Sequence, residues 1–109
     1  MGAYNTVKVR WRDPRTGQTH QLIVQFKYGD AWQHEYQVGD ELKWGGNDKG
    51  QHNVHRVVVD GALENIDVVP EAPTDFEVHI IDNRIAEVRP ASGRYDFVRS
   101  HHAYIILDE

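Results

Sequence analysis

Phe76-Glu77-Val78-His79-Ile80-Ile81-Asp82-Asn83-Arg84-Ile85-Ala86-Glu87-Val88-Arg89-Pro90 is the stretch from which the fold is read. Phe76, Val78 and Ile80 alternate with Glu77, His79 and Ile81, the period of two that places side chains on opposite faces of a strand. Asp82-Asn83 then offers two residues that tolerate the left-handed conformation required by a two-residue hairpin loop. Arg84 to Val88 returns antiparallel to the first arm.

The same period recurs on both sides of this hairpin. Near the N-terminus Val7, Val9 and Trp11 share one face and Lys8, Arg10 and Arg12 the other. Asp13-Pro14-Arg15-Thr16-Gly17 is a turn with a mechanism, because proline presets one dihedral and glycine accepts a positive one. Over Gln18 to Tyr28, Leu22, Val24, Phe26 and Tyr28 lie on one face, which predicts a second hairpin. Further strands are expected at the end of Val38 to Trp44, over Val54 to Val59, over Glu64 to Val69, over Arg94 to Val98 and over Tyr104 to Leu107. Asp60-Gly61 reads as a strand end, Gly45 to Gly50 as a loop, and Ala91-Ser92-Gly93 as a turn. Ala31 to Gln37 fits neither period. No segment carries a sustained helical stripe. The expectation is one all-β domain over residues 1–109, mostly antiparallel, a small barrel or sandwich of about 7–8 short strands.

Composition narrows the function. The chain has 109 residues, with 12 Lys and Arg against 17 Asp and Glu and a net charge of -5. That acidity argues against general nucleic-acid binding, which needs a basic footprint. No apolar run approaches a membrane span. The first residues lack the charged and apolar regions of a secretory signal, so a cytoplasmic location is expected. There is no cysteine, hence no disulfide, thiol nucleophile or cysteine zinc site.

The opening Met1-Gly2-Ala3-Tyr4-Asn5-Thr6 resembles that of small bacterial and phage proteins that begin M-G-x-Y-[DN]-T. Many of these carry a Cys-Pro-x-Cys-Gly knuckle, the first half of a zinc-ribbon site. The corresponding segment here is Asp13-Pro14-Arg15-Thr16-Gly17. The resemblance covers about the first 40 residues and implies that the turn is kept while the thiolates are lost, a degenerate zinc ribbon. It implies architecture and no activity.

Four readings of chemistry compete. Seven of the eleven aromatic residues lie in the first 44 positions. Trp32-Gln33-His34-Glu35-Tyr36 interleaves aromatic and polar groups, a pattern suited to a partner surface or a platform for a sugar or base. Trp32, His34, Tyr36 and Trp44 are therefore the candidate ligand- or partner-binding residues, with core filling the competing role for Trp11 and Trp44. His52, His55, His101 and His102 form the close histidine pairs and are the candidate metal ligands. If extended, however, a spacing of three puts the first pair on opposite faces unless the chain turns at Asn53. Asp30, His34, Glu35, Asp40 and Glu41 cluster in sequence, and His34 with Glu35 or Asp40 could serve as an acid–base pair, but a solvated loop is the commoner use of such residues. Gly45 to Gly50 lacks the phosphate-loop pattern and its helix. Lys8, Arg10 and Arg12 make a basic strand face that also discourages edge-to-edge pairing. No cofactor and no catalytic machinery are expected. The leading reading is an interaction protein for a basic protein partner, in the manner of a stoichiometric inhibitor or immunity protein, with a homodimer left open. The alternatives are a small-ligand β-module and a histidine metal-binding protein.

Overall fold

The computed structural model describes residues 4–64, 72–95, 97 and 104–107. Nine strands occur among them: β1 (Asn5–Arg12), β2 (Thr19–Phe26), β3 (Gly29–Asp30), β4 (Glu35–Gln37), β5 (Asp48–Lys49), β6 (Arg56–Leu63), β7 (Asp75–Ile81), β8 (Arg84–Pro90) and β9 (Tyr104–Ile106). The main sheet runs β4-β1-β2-β6-β7-β8, with β9 also paired to β6, while β3 and β5 form a separate two-stranded ribbon. The chain is all-β and mostly antiparallel, a sheet curled into a half-barrel. No helix among the described residues is long and apolar enough to cross a membrane.

Both expected hairpins form. β1 and β2 pair from Asn5↔Phe26 to Arg12↔Thr19, so Val7 faces Val24 and Val9 faces Leu22 across the strands. Asp13 closes the turn: its backbone N–H and C=O bond Gln18 and Gly17, and its carboxylate accepts the Arg15 N–H at 2.9 Å. Thr16 Oγ1 accepts the Gln18 N–H at 3.2 Å. In the other hairpin Asp82 and Asn83 have φ of 50° and 67°, as a type I′ turn demands. The turn sets Ile80 opposite Ile85, and a bulge between His79 and Ile80 then skips Ala86 and brings Val78 opposite Val88.

The core lies inside the curl. Val7, Val24, Leu22, Phe26, Tyr28, Tyr36, Val57, Val59, Phe76, Val78, Ile80 and Ile85 are buried in one cluster. Trp11 and Trp44 only pack against its margin. The open side of the curl is bridged after β4. Gly39 N–H donates to Ile85 O, Ile85 N–H to Asp40 O and Leu42 N–H to Asn83 O, tying the segment to β8.

Several boundaries differ from the sequence reading. β6 starts at Arg56, not Val54, and runs through Asp60-Gly61 to Leu63. Gly61 serves close approach instead of a turn: a Cβ there would stand 2.7 Å from Val24 Cγ1, where β2 and β6 meet. Val38 to Trp44 forms no strand, only the isolated bridge Glu41↔Arg84. The glycine-rich loop contains β5, which pairs with Gly29 and Asp30. Arg94 and Tyr95 are not in a strand, and Tyr95 sets its ring edge-on to His79. The expected strand from Glu64 to Val69 lies, beyond Glu64, outside the described residues.

Candidate functional site

The segment that fits neither period becomes the best-anchored loop. β4 runs parallel to β1, with Glu35 beside Thr6 and Tyr36 beside Val7. Asn5, fully buried at the start of β1, holds the loop that precedes β4. Its Nδ2 donates to Tyr28 O at 3.1 Å and its Oδ1 accepts the His34 N–H at 3.0 Å. Thr6 N–H donates to His34 O at 3.0 Å. From the other side Asp30 Oδ1 accepts the Asn47 N–H at 2.7 Å, and its Oδ2 lies 3.1 Å from His34 Nε2. The loop is thus tied to the start of β1 and to Asp30 at the end of β3.

This anchoring presents Trp32, whose residue is 63% exposed, more than any other large hydrophobic among the described residues. Gln33 follows with φ of 60°, a left-handed conformation that costs a non-glycine residue roughly 1–2 kcal/mol and persists only where its surroundings enforce it. The ridge Trp32 to Glu35 is flanked by two grooves, and Glu35 lines both. One, of about 340 Å³, lies over the outer face of β1 and β2, between Gln33 and Glu35 on one side and Tyr4 and Glu64 on the other. The second, of about 240 Å³, is bounded by His34, Tyr36, Asp40, Glu41 and Lys43. Carboxylates outnumber cations in each.

The electrostatics follow from these contacts. The hydrogen bond from His34, with help from the Asn47 N–H, holds the Asp30 carboxyl below its ordinary value of 3.8 against a smaller opposing effect of burial. A carboxyl with a depressed folded-state pKa adds stability above its unfolded pKa, and that contribution is lost as pH falls through the folded value. In a carbon-detected NMR titration, Asp30 is therefore expected to titrate below 3.8. The urea midpoint should also fall less between neutral pH and about pH 3 in Asp30→Asn than in the parent chain. An ordinary titration of Asp30 would remove the dyad as an anchor. Next to Glu64, whose carboxylate accepts its O–H at 3.3 Å, the Tyr4 phenol is pushed up.

The four candidate partner-binding residues separate. Trp32 is exposed, and His34 is half-buried against Asp30. Tyr36 is buried, its ring 5.9 Å from Phe26 and its oxygen accepting the Lys43 N–H; burial pushes its phenol up. Its ring belongs to the core, so it cannot form a platform with Trp32. Trp44 is half-buried, donates from Nε1 to Asn83 Oδ1 at 2.6 Å, and meets Tyr28 edge-on. The acid–base pairing expected for His34 goes to Asp30, not to Glu35 or Asp40.

Of the candidate metal ligands, His52 and His55 precede β6 and border one open cavity of about 400 Å³. His52 stacks on Trp44 with ring centroids 4.8 Å apart, and His55 Nδ1 lies 2.6 Å from Asp82 Oδ1. His101 and His102 lie outside the described residues. Among the described residues no group of three or more potential ligands is placed to hold a metal ion.

Sequence reasoning missed Asn5, and it placed Asp30 among the acid–base candidates without pairing it to His34. Asn5 offered one signal: it is the polar residue at a position where the strand period calls for an inward side chain, next to Val7 and Val9. Asp30 stands four residues before His34, and the loop between β3 and β4 brings their side chains together.

Comparison with protein-family models, curated proteins and solved structures finds no match. The half-barrel and its anchored ridge therefore stand on their own geometry.

Proposed function

We propose that this chain is a non-catalytic protein-binding module, with the Trp32–Glu35 ridge as its docking face and a basic protein as its partner. The observation that carries this reading is Trp32: a large apolar side chain held out in solvent on a loop fixed by Asn5, Asp30 and Thr6. Tryptophan dominates interface energetics out of proportion to its frequency. A loop ordered before binding loses little entropy on docking. The charge of -5 and the carboxylate-rich grooves supply steering toward a cationic surface. Stoichiometric inhibition of a basic enzyme in the cytoplasm fits this chemistry.

The test is capture from a cell lysate at low ionic strength by the parent chain and by Trp32→Ala. A basic protein retained by the first should be weakened by about tenfold to a hundredfold on the second. Its association rate should fall steeply with added salt, while dissociation changes little. The melting temperature of Trp32→Ala should match the parent, because the side chain is exposed. Identical capture by the two proteins, or capture indifferent to salt, would sink the reading.

A further inference from the structure

We propose that the groove over the outer face of β1 and β2 receives an arginine side chain of that basic partner, an inference that rests on the docking role of the ridge. The groove is built from both walls. Glu35 stands beside Thr6 on β1, Lys8 pairs with Ile23 on β2, and Glu64 N–H donates to Ile23 O at 2.7 Å. Glu35 and Glu64 are thus three strand spacings apart across the sheet and two residues apart along it, roughly 16 Å between backbones. Both side chains line the same space of about 340 Å³, leaving room for a planar group between them.

The lining carries two carboxylates, Glu35 and Glu64, against one ammonium, Lys8. Tyr4 O–H already donates to one oxygen of Glu64. What remains is the other Glu64 oxygen, both Glu35 oxygens, the Gln33 side-chain carbonyl and the Thr6 hydroxyl. Among the described residues Glu35 makes no ion pair. A guanidinium has five N–H donors in a fixed plane and no acceptor. It can pair bidentately with one carboxylate and lie against the Tyr4 ring, while Ile23 underlies its aliphatic stem. A lysine ammonium is a point charge that cannot bridge the two walls. Lys8, on β1 between the two walls, decides the sign: it opposes a cation and would favour an anion.

The experiment is an amide NMR titration of the full chain with acetyl-Gly-Arg-Gly-amide, acetyl-Gly-Lys-Gly-amide and acetyl-Gly-Glu-Gly-amide at matched ionic strength. The arginine peptide should give saturable shifts at Thr6, Lys8, Ile23, Gln33 and Glu35, with Kd on the order of millimolar. The lysine peptide should bind at least about threefold more weakly. Glu35→Gln should weaken arginine binding about fivefold, and Lys8→Gln should strengthen it about twofold. Both side chains are exposed, so neither variant threatens the fold. No saturable shift, equal response to lysine, preference for the glutamate peptide, or weaker binding by Lys8→Gln overturns the proposal. The two readings fail separately. Trp32-dependent capture without arginine binding overturns only this inference. Arginine binding with Trp32-independent capture overturns the docking role of the ridge.

Discussion

Glu77→Ala is expected to lower the unfolding free energy by about 3 kcal/mol, the scale for removing one member of a buried charged network. Glu77 is 1% exposed yet carries a carboxylate on the outer face of β7. Four donors surround it. Ser92 N–H and Ser92 Oγ each donate to Oε2 at 2.8 Å, His79 Nε2 lies 3.1 Å from Oε1, and Arg89 Nε donates to Oε1 at 3.4 Å. Burial pushes the Glu77 carboxyl up, but the Ser92 and His79 hydrogen bonds outweigh it and the net direction is down. Its stabilisation is present at neutral pH and is lost as pH falls through the folded-state value. Asp60, across from Glu77 on β6, runs the other way. Burial and the Asp75 carboxylate raise its pKa, so its acid form is favoured on folding and it relieves part of the acid loss. Urea unfolding at neutral pH measures the effect. Glu77→Gln should retain more stability than Glu77→Ala, because an amide oxygen can still accept from Ser92. Curves for Glu77→Ala within about 0.5 kcal/mol of the parent would show that the cluster decorates the hairpin without holding it.

Asn5→Ala is expected to cost about 2–4 kcal/mol and to loosen the docking ridge. The substitution deletes one buried and one part-buried hydrogen bond and takes the Asn5 partner from the His34 N–H and the Tyr28 carbonyl, and an unsatisfied buried group costs about 1–3 kcal/mol. The position is 0% exposed, so water cannot replace the lost partners without entering the core. Asn5→Asp should be damaging for a further reason: a carboxylate cannot donate to Tyr28 O. Urea unfolding gives the stability change. Amide exchange gives the local one: His34 and Thr6 should lose protection beyond the global loss, since both amides bond within this clamp. Uniform loss across the sheet would mean that Asn5 supports the core and leaves the ridge to Asp30.

The hairpins were legible because their physics is local. Alternation over Phe76 to Ile81 and a left-handed pair at Asp82-Asn83 fix the hairpin and the register beside its turn, while the bulge at His79 carries no such local signal. The N-terminal hairpin was legible for the same reason. Its turn residues Asp13, Pro14 and Gly17 carry their dihedral preferences and their own hydrogen bonds wherever the chain places them.

The site was less legible. Trp32 and His34 could be singled out from residue type alone, but Tyr36 could not be told from them. Whether a tyrosine faces solvent or core depends on the strand beside it, and β4 lies parallel to β1 through no local signal. Gly50 shows the same dependence. It reads as part of a loop, yet a Cβ there would collide with the Tyr28 ring, which packs between Trp44 and Tyr104. Thus the sequence by itself determined an all-β chain, its two tight hairpins, its acidity and the inward face of its longest strands. Each is set by side-chain period, turn dihedrals or charge, which act over a few residues or need no geometry at all. Only the tertiary structure decided that the sheet curls into a half-barrel, that Asn5 and Asp30 clamp the loop before β4, and that Glu35 and Glu64 face one groove. Those facts depend on contacts between residues 17 to 60 positions apart, whose closure is set by the packing of the whole core.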